Sequence, residues 1–137
     1  MYKNIVIIDD SDYKVEGIKG YLKKLYPDAT FHSFGCVNAS LRFIAWNNYD
    51  EIQENPNEWL MVIDMVMPRM YDTFPEREAG YSVLAEMQRR RMTCNAIVVS
   101  SETIDLDKAK KAYKHFLGSV KYDCSVYNLE DYKKLLV

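Results

Sequence analysis

Three aspartates, two serines and a lysine stand directly after apolar runs. Ile5 to Ile8 lead into Asp9 and Asp10, Leu60 to Ile63 into Asp64, and Ala96 to Val99 into Ser100 and Ser101. More weakly, Leu117 to Val120 lead into Lys121. Short apolar runs closed by a turn or a polar residue read as strands buried on both faces, the form a parallel sheet requires. Groups at the C-terminal ends of such strands share the rim where open α/β sheets bind ligands. Three carboxylates, a hydroxyl and an ammonium on one rim are an inventory suited to phosphoryl transfer. An aspartate is also a competent nucleophile for forming an acyl phosphate.

The elements that position these groups follow from spacing. Asn4–Ile8 is the expected first strand, and Ser11 or Asp12 caps the helix after it. Val15, Ile18, Leu22 and Leu25 give that helix one buried face, with Lys19, Lys23 and Lys24 in water. Ala29 to Phe34 is expected as a second strand with Phe31 inward and His32 outward. A second helix runs from Val37 or Asn38 to Asn48, and Tyr49 to Glu58 either extends it or forms a long loop. Past the central strand, Arg69 to Ala79 is the least regular stretch. Gly80 opens a third helix through Arg91, Asn95 to Val99 is the fourth strand, and Asp105 to His115 is the fourth helix. Phe116 to Val120 is a short fifth strand and Asn128 to Leu136 a closing helix. Five strand–helix alternations predict an α/β fold: a doubly wound five-stranded parallel sheet with right-handed crossovers and helices on both faces.

Composition fits a single soluble domain over residues 1–137, with 48% hydrophobic and 28% charged residues. A formal charge of −2 gives no reason to expect nucleic acid or an anionic membrane as partner. Arg89, Arg90 and Arg91 read as solvated cations in the last turn of a helix, complementing its dipole. No apolar run approaches the roughly 18 residues needed to cross a bilayer. The N-terminus does not resemble a signal peptide, so the cytoplasm is the expected compartment. Cys36, Cys94 and Cys124 form neither a zinc pattern nor a disulfide framework, and Cys94 and Cys124 read as small, partly buried residues.

Four motifs, in register and each at a strand end, carry a family resemblance: IVIIDDSD (5–12), VIDMVMP (62–68), IVVSS (97–101) and VK (120–121). Together they resemble the receiver domain of two-component response regulators, the superfamily of the bacterial chemotaxis regulator, across essentially the whole chain. The resemblance implies a flavodoxin-like sheet of order 2-1-3-4-5. It implies Asp64 as phosphoacceptor, and Asp9 and Asp10 as the acidic pair of a metal pocket with Asp10 a direct ligand. The main-chain carbonyl of Val66 would be the third protein ligand to Mg2+, and Ser100 and Lys121 would contact the phosphoryl oxygens. The implied function is that of a phosphorelay module. It accepts a phosphoryl group from a histidine kinase or phosphotransfer protein and changes its affinity for a downstream protein. Self-phosphorylation and self-dephosphorylation are its only expected reactions, so it is not an enzyme with a separate substrate.

Charge is consistent with these roles. Three carboxylates in one cleft repel and push at least one pKa upward. A divalent cation plus Lys121 sets +3 against −3, so the resting pocket is expected to balance only with metal bound. Mg2+ suits such a site, taking one or two carboxylates and bridging to phosphate.

Three departures from the family pattern stand out. Its glycine usually lies about four residues after the Met-Pro proline, whereas here Gly80 comes about eight residues later, leaving an insertion over 71–79. That insertion reads as a lid or partner contact, or as a longer surface loop. The lysine is usually followed by a cis proline; here Tyr122 follows, and a non-proline cis bond costs about 3 kcal/mol. The position three before the lysine is often a switch aromatic but here is Gly118, leaving Phe116 or Tyr122 to take its place. Val66, two after Asp64, cannot orient a hydrolytic water, whereas Glu102 could, so slow self-dephosphorylation is expected. These departures keep open a pseudo-receiver that binds partners without a phosphorylation cycle. Asp10-Ser11-Asp12 also imitates the Asp-x-Asp of haloacid-dehalogenase-like phosphatases, though Lys14 stands where that motif wants Thr or Val.

Overall fold

In a computed structural model describing residues 1–137, the strand–helix alternation closes into one layered sheet. The chain runs β1 (Asn4–Ile8), α1 (Asp12–Leu25), β2 (Thr30–Phe34) and α2 (Val37–Leu41). A π-helical segment (Arg42–Asn47), α3 (Tyr49–Glu54) and a 3-10 turn (Pro56–Glu58) then lead to β3 (Trp59–Ile63). Next come a two-residue hairpin pair, β4 (Met67–Pro68) and β5 (Pro75–Glu76), then α4 (Ala79–Arg89) and β6 (Asn95–Ser100). The chain ends with α5 (Leu106–Ala112), β7 (Phe116–Lys121) and α6 (Leu129–Leu136). The main sheet is parallel throughout, in the order β2-β1-β3-β6-β7. Counting only its own strands, this is 2-1-3-4-5, as the motifs imply.

Because side chains alternate across a strand, each run supplies two cores. Val6, Ile8, Met61 and Ile63 pack with Val83, Leu84 and Met87 on one face. Ile5, Ile7, Leu60 and Val62 pack with Ile18, Leu22 and Tyr132 on the other. All five residues of β3 are buried, as the central strand demands. No helix is long and apolar enough to cross a membrane.

Several local expectations are corrected. His32 does not point to water. The second face of β2 is covered too, and the His32 ring stacks on Trp59 at 5.8 Å and lies against Phe43 at 4.9 Å. Burial lowers its pKa. Of the two expectations for 49–58, the helical one holds: a short helix and a 3-10 turn follow the π-helical segment. The fourth helix stops at Ala112, short of His115, because Tyr113 turns extended and buries its ring. There its hydroxyl donates to the Cys94 carbonyl at 2.5 Å. Cys94 is fully buried, but Cys124 is exposed rather than partly buried.

Candidate functional site

The ladder itself aligns two of the acids. Beyond the last residues of β1 and β3, the Asp9 N–H donates to the Phe34 carbonyl and the Asp64 N–H to the Ile8 carbonyl, both at 2.9 Å. Asp9 and Asp64 therefore leave the sheet on neighbouring strands at the same edge. The Ser11 N–H donates to Asp9 Oδ1 at 3.0 Å, and Ser11 Oγ accepts from the Lys14 N–H at 3.3 Å, capping α1. That cap fixes where the first turn begins, and so where Lys14 points.

Lys14 points into the acids. Its Nζ lies 2.9 Å from Asp9 Oδ2 and 2.9 Å from Asp64 Oδ1, and the residue is only 8% exposed. Asp9 Oδ2 is buried with no other polar partner. Asp64 Oδ1 also accepts from the Met65 N–H at 2.9 Å. Carboxylate oxygens of Asp9, Asp10 and Asp64 lie within 4.8 Å of one another. Burial pushes the Asp9 carboxyl up to about 6, with Asp64 adding to the shift and Lys14 opposing it. Asp10 is raised as well, by its partial burial and then by Asp64. Three hard oxygen donors so close together are a donor set that fits a divalent cation of the magnesium or manganese class.

Lys14 overturns the charge balance drawn from the sequence. Lys121 forms no ion pair with Asp64 or either other acid; the ammonium that pairs with Asp9 and Asp64 is Lys14. Lys121 lies opposite Ser100 in the sheet register and lines the same open cleft of about 580 Å3. Ser100 is 2% exposed, and its Oγ accepts from the Glu102 N–H at 3.3 Å. Ser11 and Ser101 line the cleft, and Ser100 does not. The half-buried Val66 packs against the core on the α4 side. Sequence reading missed Lys14, although the signal was present. Residue 14 is four before Ile18 and eight before Leu22, so it shares the buried face of α1.

The departures have physical outcomes. The chain contains no cis peptide, so the Lys121–Tyr122 bond is trans, and the Tyr122 N–H donates to the Ser100 carbonyl at 2.9 Å. The Tyr122 ring lies over α1 where Gly17 leaves room: a Cβ there would sit 3.0 Å from its hydroxyl. The late glycine is accommodated by the β4–β5 hairpin. Its strands are clipped by Arg69 and Glu76 at 3.1 Å, and its foot is tied to the β6–α5 side by Arg77–Glu102 at 3.6 Å and Glu78–Lys108 at 2.6 Å. The hairpin leaves Met70, Tyr71 and Phe74 exposed. Of the four tyrosines in the last quarter, Tyr113 and Tyr132 are buried, Tyr122 is half-buried and Tyr127 is exposed.

No family model matches this chain, and no curated protein does. Solved structures do. A CheY-like response regulator receiver domain from Methylobacillus flagellatus superposes with a TM-score of 0.60 at 18% identity, covering 98% of each chain. The Mn(2+)-bound form of response regulator Rcp1 gives 0.65 at 19% identity, over 96% of this chain and 87% of that one. The phosphorylated cyanobacterial phytochrome response regulator RcpA gives 0.66 at 15% identity, over 96% and 86%. The fold is that of a receiver domain. At these identities the likeness establishes architecture. The acid cluster lies at the C-terminal edge of the sheet, where doubly wound folds place their ligands.

Proposed function

We propose that the chain is a phosphoacceptor receiver of a two-component phosphorelay. The observation that carries this reading is the state of Asp64. One oxygen, Oδ1, is held by the Met65 N–H and Lys14, while Oδ2 accepts no hydrogen bond, and the residue lines an open cleft beside Asp9 and Asp10. A carboxylate oriented through one oxygen presents the other as nucleophile. Asp64 Oδ2 attacks the phosphorus of a phosphohistidine on a histidine kinase or phosphotransfer protein. The P–N bond breaks, and the imidazole leaves with its electron pair and takes up a proton.

Asp9 and Asp10, with Asp64 and the Val66 carbonyl, would hold Mg2+, which supplies charge neutralisation at the transferring phosphoryl. Mn2+ in Rcp1 and the phosphorylated state of RcpA support this assignment by analogy of fold. Lys121, outside every ion pair at the end of β7, is the cation available to a phosphoryl oxygen, while the buried Ser100 hydroxyl could reach one only by turning into the cleft. Phosphorylation then alters binding of a downstream protein. Incubation with acetyl phosphate and MgCl2 should add the mass of one phosphoryl group, lost in Asp64→Ala. No mass gain in the unmodified protein would overturn the assignment.

A pseudo-receiver is the second reading, and the Lys14 ammonium lodged between Asp9 and Asp64 is what favours it. Nothing equivalent supports a haloacid-dehalogenase-like phosphatase. Asp12 shares a neighbouring hollow with Asp9 and Asp10 but does not line the cleft that holds Lys14 and Lys121.

A further inference from the structure

We infer that the Lys14 ammonium is a built-in cation that competes with the divalent metal for Asp9 and Asp64, so that metal entry must displace it. The inference rests on the reading of Asp9, Asp10 and Asp64 as a metal pocket, and goes beyond it by adding a competitor that the chain itself supplies.

The geometry is that of an occupied cation site. Nζ lies 2.9 Å from one oxygen of each of two acids on adjacent strands, and it faces the otherwise unpartnered Asp9 Oδ2. The three carboxylates span no more than 4.8 Å between their closest oxygens. A divalent ion held by Asp64 and Asp10 would share the Asp64 carboxylate with Nζ, which already lies 2.9 Å from its Oδ1. Their repulsion is strong at such range in a partly buried site. One of the two must leave Asp64.

Lys14 has somewhere to go. Its side chain is long and unbranched, and Nζ already lies over the Tyr122 ring, 5.6 Å from its centroid, so the ammonium keeps that aromatic face as it leaves the acids. Gly17, one turn further along α1, is what lets that ring lie there. Displacement also suits the charge count. Three acids at −3 hold a single Lys14 ammonium at +1 in the empty pocket, and a divalent ion at +2 in its place neutralises them further. Lys121, outside every ion pair, remains for the extra negative charge that arrives when an ionised carboxylate becomes an acyl phosphate dianion. The two lysines thus serve different stages: Lys14 holds the empty pocket together, and Lys121 answers the phosphoryl group. Phosphorylation becomes conditional on enough free divalent ion to dislodge Lys14.

Two measurements on the full chain test this with MgCl2 as the only added ligand. In amine labelling read by mass spectrometry, Lys14 should be protected without metal. It should become labelled on MgCl2 addition but not on NaCl of equal ionic strength. In calorimetric titration, Lys14→Met and Lys14→Gln should each bind Mg2+ at least about tenfold more tightly than the unmodified protein, since a neighbouring positive charge has been removed. Lys14 labelling indifferent to saturating MgCl2, or variants that bind Mg2+ no better, would overturn the inference. In that case, retained phosphorylation of Asp64 by acetyl phosphate leaves the receiver assignment standing. Absence of Mg2+ binding in the unmodified protein and both variants would overturn the inference and the metal pocket together. The labelling arm needs no substitution, so a variant that does not fold cannot shield the idea.

Discussion

Gly80 lies flat against the peptide that follows Asp64. Its N–H donates to the Met65 carbonyl at 3.1 Å, and a Cβ at residue 80 would come 2.6 Å from the Asp64 carbonyl oxygen and 2.9 Å from Met65 Cα. Both are backbone atoms and cannot swing aside. The first turn of α4 is therefore keyed to the loop that carries Asp64, and only glycine permits the approach. The β4–β5 hairpin changes the sequence distance between the two residues without changing where the helix must begin.

Gly80→Ala is accordingly expected to destabilise the fold by about 1–3 kcal/mol, the range for forcing a methyl group into packed structure. It should also impair acetyl phosphate labelling of Asp64 at temperatures where the variant is still folded by circular dichroism. A variant with unchanged melting temperature would mean that α4 can slide away from the site at no cost.

Gly118 lies on β7, the edge strand of the sheet. The β6–β7 register slips between Ala96 and Ile97, so that Phe116 and Gly118 are the successive partners and Leu117 is left over as a bulge. Gly118 has φ of +148°, where a side chain is strained, and Leu135 of α6 fills the space above it, 2.7 Å from a would-be Cβ. Substitution to Ala is expected to cost about 1–3 kcal/mol, chiefly from backbone strain, since the Leu135 side chain can rotate. Gly118→Tyr, which restores the family's aromatic in name, should be less stable than Gly118→Ala. It should also fail to couple phosphorylation to the α6 surface. Equal or higher stability for the Tyr variant in chemical denaturation would show that the strand can relax into ordinary geometry.

These two glycines show what could be read from the sequence and what could not. The five parallel runs were legible because a buried strand writes itself as consecutive apolar residues, as in Trp59 to Ile63, whereas the order 2-1-3-4-5 came with the family resemblance. The clustering of Asp9, Asp10 and Asp64 followed, since strand ends fix positions to within a residue or so. His32 was misplaced because alternation identifies two faces but does not say that both are covered. Lys14 was passed over for a similar reason. A lysine reads as solvent-facing, and only the three-dimensional convergence of two strand ends supplies the paired carboxylates that make its burial tolerable. The Leu117 bulge depends on α6 packing, which no local pattern records.

The burial of Asp9 has a pH consequence. Its carboxyl titrates near 6 in the fold against an ordinary value of 3.8. Between those values the folded state holds more protons than the unfolded one, so this group's contribution to stability falls as pH rises and is at its least favourable above 6. Asp9→Asn should therefore raise the thermal stability of the EDTA-treated protein at pH 8 and change it little at pH 4. A gain of the same size at both pH values would show that the effect is one of packing and not of charge.

The lifetime of the acyl phosphate, finally, should depend on the two positions flanking the cleft. Val66 is apolar and half-buried against the core, so it offers nothing to a hydrolytic water. Glu102 is polar, but its carboxylate is turned to Arg77 at the foot of the hairpin, 3.6 Å away, while its N–H donates to Ser100 Oγ. Neither side chain offers a free polar group to a water at Asp64, and a misplaced attacking group typically loses one or two orders of magnitude in rate. Val66→Asn should accelerate loss of the phosphoryl group by roughly tenfold, followed as decay of the phosphorylated mass after removal of acetyl phosphate. Arg77→Ala, which frees Glu102 without touching the acids, should give a smaller acceleration. If Val66→Asn leaves the decay unchanged while Arg77→Ala speeds it, the water is controlled from the hairpin side, and slow turnover belongs to the Arg77–Glu102 pair rather than to Val66.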